Sequence, residues 1–334
     1  MIFDPLRGRW VTAAAAAALV FLAVYPWFAS RFMVTVLVQC LIMAILAMSL
    51  DLMVGYTGLA SLGHAAYFGT GAYAAAIMSV HYKMGFPEAL AVGLLAAVAV
   101  TAVFALVALR ATGVYFLMIT FALAMLVWGL AYRWNSMTGG ENGIAGVQRP
   151  AFIAGTTAFY YFVLAIAVCV FAFFAVLVRS SFGRTLMGIR ESESRMRTLG
   201  YNVWLHKYII FLLSGLFSGL SGVLWVYYDS LVAPPLVDLG TSFDALLMVS
   251  LGGGGTLVGA VLGALIFKMM ENLVNLFTDR WLTVVALVYI TVVLLAPQGI
   301  IGLLRDLAER REARVKAFGA AGRADAPARK EGSR

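Results

Sequence analysis

Charge is what this 334-residue chain has least of: Asp, Glu, Lys and Arg make up 12% of it, against about 25% in an ordinary soluble domain. A soluble globular fold is excluded on that ground. Cysteine is nearly absent as well. Cys40 and Cys169 lie in separate apolar runs with no CxxC or metal-like neighbour, so a disulfide or metal framework is excluded and both read as small packing residues. No Gly-Lys dipeptide occurs anywhere, hence no GxxxxGK[ST] phosphate loop. Paired carboxylates, HExxH and Ser-centred nucleophile motifs are likewise missing at usable spacing, which disfavours an intramembrane enzyme. Any ATP-driven motion must be supplied by a separate chain.

What is present is apolar: 63% of the residues are hydrophobic. Charge-free runs recur near or above the roughly 20 residues that carry a helix across hydrocarbon, whereas a membrane barrel would show short alternating segments. The fold class is therefore an all-α polytopic membrane protein. Eight full spans are expected, at Trp10–Ser30, Phe32–Val54, His64–His81, Ala89–Leu109, Val114–Tyr132, Thr157–Val178, Tyr208–Tyr228 and Trp281–Leu304. The first run resembles a signal peptide in its basic start, but it continues to about Trp27 without a cleavage site and is read as a span. A ninth apolar segment, Ala245–Phe267, is broken by glycine and is expected to be a re-entrant hairpin or two short helices.

The net charge of +8 is arranged for orientation rather than for nucleic acid. With the amino end inside, 18 of the 24 basic residues fall on one side, in the start, at Arg110, in the segment 179–207 and in the tail. That excess marks the cytoplasm, so both termini are expected there and the glycine-broken segment must begin and end outside. Residues 1–304 form the membrane domain. The basic tail 305–334 has too little apolar content to bury and is expected to be disordered.

Two glycine-rich stretches interrupt the spans: GYTGLASLGHAAYFGTGAY from Gly55, and SLGGGGTLVGAVLGA from Ser250. Glycine permits close helix packing and permits unwound backbone. Four consecutive glycines exceed what packing needs, and non-helical backbone at membrane depth belongs where protein buries it or a wet cavity lies beside it. The tripeptide Leu-Met-Val precedes both stretches, at 52–54 and 247–249, a weak internal repeat of the kind that marks substrate pathways. Gly55, Gly58, Ser61, Gly63, Gly252, Gly253, Gly254 and Gly255 are the candidate translocation path; plain helix packing is the alternative. Asp51, one turn before Gly55, is either a functional intramembrane carboxylate or a hydrogen-bonded group near the cytoplasmic interface. His64 reads as a satisfied packing residue, and the outer loop 134–147, with Glu141 and Asn142, as a turn or a contact for an outer partner.

Between Arg179 and Lys207 lies the longest polar insertion between apolar spans. Ser180 or Ser181 can cap a helix there. Phe182, Leu186, Ile189, Met196 and Leu199 form an apolar stripe, and Glu191–Arg195 and Glu193–Arg197 are acid-first i,i+4 pairs. Gly200 ends the pattern. A short amphipathic helix is expected, lying on lipid headgroups or docked in a partner's groove.

FGRTLMGIRESE, then LGY, then KYIIFLLSGLFSGLSGVL resembles the cytoplasmic coupling segment of ABC-transporter permeases, in the form found in the branched-chain amino acid (LivM-type) permease family. The two glycine-rich stretches and TGGENGI resemble that family's early, late and outer-loop signatures, in the same order. Asp51 departs from the pattern, standing where an uncharged amide is expected, and Arg195-Met196 replaces small residues after the acidic pair. The resemblance implies a permease subunit that pairs with a second homologous permease, two cytoplasmic ATPases and an extracytoplasmic substrate-binding protein in a bacterial inner membrane. It implies no cofactor of its own, ATP being bound by the partner subunits. The ATPase-coupling contact is then expected at Gly183, Arg184, Arg190, Glu191, Glu193 and Gly200. Competing readings are an ABC permease for another small solute, such as urea or an amide, and a secondary transporter that needs no ATPase.

Overall fold

The structure, a computed structural model, describes residues 19–277 and, beyond them, residues 280, 283–284, 286–287, 289–291 and 299–302. The first half of the expected span Trp10–Ser30, most of Trp281–Leu304 and the tail 305–334 lie outside the described residues. What is described is overwhelmingly helical, in keeping with an all-α membrane fold.

The central element is α1, Arg31–Asp51, whose start is fixed by the Ser30 hydroxyl accepting from the Met33 amide at 3.4 Å. Its sequence is apolar on every face, and from Val36 to Asp51 only Gln39 escapes full burial, as expected of a helix with no polar stripe. A wider π turn, Leu52–Tyr56, continues it into the first glycine stretch. Next come α2, His64–Val80, and α3, Phe86–Ala108, the latter with Pro87 and Glu88 in its first turn, where proline costs no hydrogen bond and a carboxylate complements the helix dipole. Then follow α4, Val114–Arg133, and α5, Thr156–Arg179. Two short helices, α6, Ser181–Glu191, and α7, Glu193–Thr198, precede the long α8, Val203–Asp229. The last pair is α9, Leu239–Gly252, and α10, Leu257–Asn275.

Helices α5, α8, α9 and α10 pack around α1, while α2 and α3 pack on α8. Small residues make that second contact possible. A Cβ on Gly222 would overlap the Phe68 carbonyl, one on Gly71 the Gly219 carbonyl, and one on Gly215 the Thr101 side chain, so backbone meets backbone as in other membrane helix pairs. At the end of the bundle away from α6, strands β1, Ile144–Ala145, and β2, Leu231–Val232, pair antiparallel. Arg149 closes that end: Nε donates to the Tyr227 carbonyl at 2.6 Å and Nη2 to that of Tyr228 at 2.8 Å, capping α8, while the guanidinium lies 4.4 Å from the Phe159 ring centroid.

Six of the described helices are long and apolar enough to cross a membrane: α1 with its π turn, α3, α4, α5, α8 and α10. The expected span His64–His81 is a 17-residue helix, buried on nearly every face of its first two-thirds; at 1.5 Å per residue it reaches about 26 Å, less than the roughly 30 Å of hydrocarbon. The expected start of α8 at Tyr208 moves out to Val203, because the Asn202 side chain caps the Leu205 amide at 3.0 Å and carries the helix beyond the apolar run. The glycine-broken segment is a helical hairpin. Gly252 faces Gly259, Gly263 faces the Met248 carbonyl, and Lys268 meets Asp244 at 3.5 Å, so α9 and α10 run antiparallel along their contact.

Replacing Gly222 by Leu should lower the thermal midpoint of the detergent-solubilised protein, since overpacking of this kind costs about 1–3 kcal/mol or more. Gly129→Ala on α4, where a Cβ meets nothing within 4 Å, should leave the midpoint unchanged or raise it, because alanine favours a helix by roughly 0.5–1 kcal/mol over glycine.

Candidate functional site

Between α1 and α2 the chain is unwound from Thr57 to Gly63, and apart from Gly58 and Ala60 that stretch is fully buried. Its polar backbone must therefore find partners within the protein. The Leu59 amide donates to the Met53 carbonyl at 2.8 Å, and the Leu62 amide to the Thr120 hydroxyl of α4 at 3.2 Å. Gly63 donates to Ser61 Oγ at 3.1 Å. Ser242 of α9 serves both sides of the break, donating to the Leu62 carbonyl at 2.8 Å and accepting from the Ala65 amide at 2.9 Å. Ser214 of α8 gives its proton to the Ser49 carbonyl at 2.6 Å, so at 2.7 Å its oxygen accepts from His64 Nε2–H. Ser218 donates to the His64 carbonyl at 3.0 Å. Ser61, Gly63 and His64 thus hold the break together. Sequence reasoning missed Thr120, Ser214, Ser218 and Ser242; the i,i+4 serines of SGLFSGLSG on an apolar helix were the readable signal.

The second break is the turn of the α9–α10 hairpin, and its four glycines have separate tasks. Gly252 lets α9 touch Gly259. Gly253 and Gly255 have φ of 106° and 86°, in the region that favours glycine. Gly254 passes the Asp51 carboxylate, its would-be Cβ 3.8 Å from Oδ1. Thr256 closes the turn by donating to the Gly253 carbonyl at 2.8 Å, and Gly299 packs against Gly253.

These two breaks, 200 residues apart in sequence, meet. The Gly255 amide donates to Asp51 Oδ1 at 2.7 Å, and a Cβ on Gly55 would overlap both that oxygen and the Gly255 amide. Asp51 is fully buried and is the hydrogen-bonded group that its sequence position allowed. The tripeptides 52–54 and 247–249 occupy the last turns before the two breaks.

Helix α6 reaches the same point. Ser180 caps it through the Gly183 amide at 3.3 Å, and Gly183 lies where a Cβ would overlap the carbonyls of Leu177 and Val178, permitting the sharp turn out of α5. Leu186 and Ile189 face inward. Arg190, in the last turn, donates through Nη1 to the Gly55 carbonyl, and its Cγ lies 3.1 Å from a would-be Cβ on Gly58, whose φ is 76°.

The rest of the coupling candidates build an elbow. Ser192 is extended, ending α6 and capping α7 through the Arg195 amide at 3.4 Å. The single helix expected through this segment is therefore two: Glu191 and Arg195 fall on different helices, whereas Glu193 and Arg197 pair at 3.5 Å. Glu193 also bonds the buried Lys207 of α8. Arg184 is exposed and donates to the Arg179 carbonyl at 3.0 Å. Met196 is buried against Gly188, which makes room for it, but Leu199 is 65% exposed and leaves the expected stripe. Gly200, at φ 87°, ends α7. Gly55, Gly58, Gly254, Gly255 and Arg190 thus converge around Asp51; Ser61 and Gly63 lie beyond them, and Gly183, Arg184, Glu191, Glu193 and Gly200 shape the segment that delivers Arg190. Among the described residues no group of three or more His, Cys, Asp or Glu could hold a metal ion.

Comparison with known proteins gives this arrangement a family. Residues 32–296 match the family described as "Branched-chain amino acid transport system / permease component". The chain is 26% identical over 316 residues to the high-affinity branched-chain amino acid transport system permease protein LivM of Escherichia coli K12, covering 86% of this chain and 74% of that protein. It is 25% identical over 327 residues to LivM of Salmonella typhimurium, covering 90% and 77%. A shorter match, 31% over 137 residues and 39% of each chain, is to the ribose import permease protein RbsC of Escherichia coli K12. No solved structure matches. With the family matched over most of its length, the chain belongs to the branched-chain amino acid transport permease family and is a multi-pass ABC-transporter permease.

Proposed function

We propose that this permease forms half of the translocation path of an ATP-driven importer for branched-chain, hydrophobic amino acids, and that α6 and α7 couple the path to separate ATPase subunits. One observation carries the reading: a single side chain of α6, Arg190, is bonded to Gly55 in the π turn that leads into the first break, and one turn earlier Asp51 is bonded to Gly255 of the second break. A displacement of α6 is thereby delivered to both breaks at once.

In this reading, ATP-driven closure of two cytoplasmic ATPases moves the α6–α7 elbow as a lever. A second homologous permease completes the path, an extracytoplasmic binding protein delivers the amino acid, and both termini face the cytoplasm of a bacterial inner membrane. The permease brings geometry; ATP stays on the partners. Driving a two-state equilibrium from 1:99 to 99:1 requires differential binding of about 5.5 kcal/mol. A hydrogen bond to a charged group contributes about 1.5–3 kcal/mol, so Arg190 transmits the movement while the wider elbow surface must hold the motor. Glu193 stiffens that elbow by tying α7 to Lys207 of α8. The short match to a ribose permease supports a second reading, an ABC permease for another small solute; amino-acid binding measured on the cognate binding protein separates the two, and vanadate inhibition of uptake separates both from a secondary transporter.

Glu193→Lys places a second cation beside Lys207 and is expected to abolish substrate-stimulated ATP hydrolysis in the reconstituted complex. Unchanged stimulation with intact assembly removes Glu193 from the coupling contact. Gly253→Leu, at a sparsely populated backbone conformation that costs an L-residue roughly 1–3 kcal/mol, should abolish uptake while the complex still assembles, and normal uptake would sink the unwound-path reading.

A further inference from the structure

Asp51 has more acceptor capacity than its static contacts use. It is fully buried, one oxygen accepts from the Gly255 amide at 2.7 Å, and Oδ2 has no partner among the described residues. A carboxylate at membrane depth is costly, and a neutral amide could accept the Gly255 bond equally well. Among the described residues, the charged side chain acting on Asp51 is Arg190. Its guanidinium is bonded to Gly55, one turn past Asp51, and its Nη1 lies 3.2 Å from where a Cβ on Gly255 would stand. Glycine at 55 and 255 therefore leaves the space between guanidinium and carboxylate free of side chains.

Building on the coupling role of α6, we infer that Asp51 is the second acceptor for Arg190: when α6 shifts, the guanidinium passes from the Gly55 carbonyl to the open Oδ2 of Asp51. The carboxylate is thus a positioning residue that gives the lever two seats. On the carbonyl, Arg190 reaches the second break only indirectly, through the Gly55 turn and Asp51. On the carboxylate, it bears directly on the group that grips the hairpin turn through Gly255. An ion pair forming in a water-poor site is stronger than the same pair at a surface, so the second seat favours the shifted state without any contact to the transported solute.

The test is a double-mutant cycle in the complete reconstituted complex: Asp51→Asn, Arg190→Gln and the two together, read as the ratio of substrate-stimulated to basal ATP hydrolysis, with assembly followed by size-exclusion chromatography. Each single variant is expected to lower the ratio about tenfold, and the double variant to fall no further than Arg190→Gln alone. An Asp51→Asn complex with the wild-type ratio, as for a carboxylate that stays protonated throughout, overturns the inference, and so do two effects that multiply. If Arg190→Gln is impaired and Asp51→Asn is not, the second seat alone is lost; if both are normal, the coupling reading falls as well. Should Asp51→Asn fail to assemble, the double variant decides: recovered assembly supports the pairing, since it removes the stranded cation, and continued failure overturns it.

Discussion

Everything in this fold that bears on transport depends on two glycine backbones being pressed together around one carboxylate. Gly55 and Gly255 touch because neither has a side chain, and Asp51 makes the contact directional by accepting from Gly255. Were either glycine larger, the hairpin turn would stand off from the end of α1, and Arg190 would reach one break without the other. Proximity of this kind turns a local push into a shared one.

Unwinding two helices inside a membrane leaves polar backbone that lipid cannot satisfy. The first break meets that demand with hydroxyls from three other helices: Thr120 of α4, Ser214 and Ser218 of α8, and Ser242 of α9. The second meets it internally through Thr256 and by lending the Gly255 amide to Asp51. The first break is anchored to α4 and α8 through Thr120, Ser214 and Ser218, shares Ser242 with the α9–α10 hairpin, and is joined to α6 at its Gly55–Gly58 end. A segment held at one end and gripped at the other is suited to bending rather than to sliding.

The apolar runs, the two interruptions and the polar insertion were legible because each is a local property of composition or spacing. Gly200 as a helix stop and Gly253 and Gly255 as unwound backbone were legible for the same reason. The break at Ser192 was readable in principle, as serine followed by glutamate at a helix start, but the i,i+4 charge pairs pointed the other way, and extended backbone at one residue overrode them. What was not legible is non-local. Nothing near Asp51 in sequence announces a partner at Gly255, and whether α9 and α10 fold back on one another depends on Gly252 meeting Gly259 and Gly263 meeting Met248. Likewise, α2 reads as a span from its apolarity, yet neighbours rather than lipid surround most of it.

The central claim is that a displacement of α6 is delivered to the α9–α10 hairpin as well as to the first break. It is tested most directly by pulsed electron paramagnetic resonance distances in the reconstituted complex, with Cys40 and Cys169 replaced and spin labels introduced at Ser181→Cys on α6, Gly240→Cys on α9 and Gly129→Cys on α4. Between the nucleotide-free and the vanadate-trapped state, the account predicts changed distances from 129 both to 181 and to 240. A changed 129–181 distance with the 129–240 distance constant would contradict it.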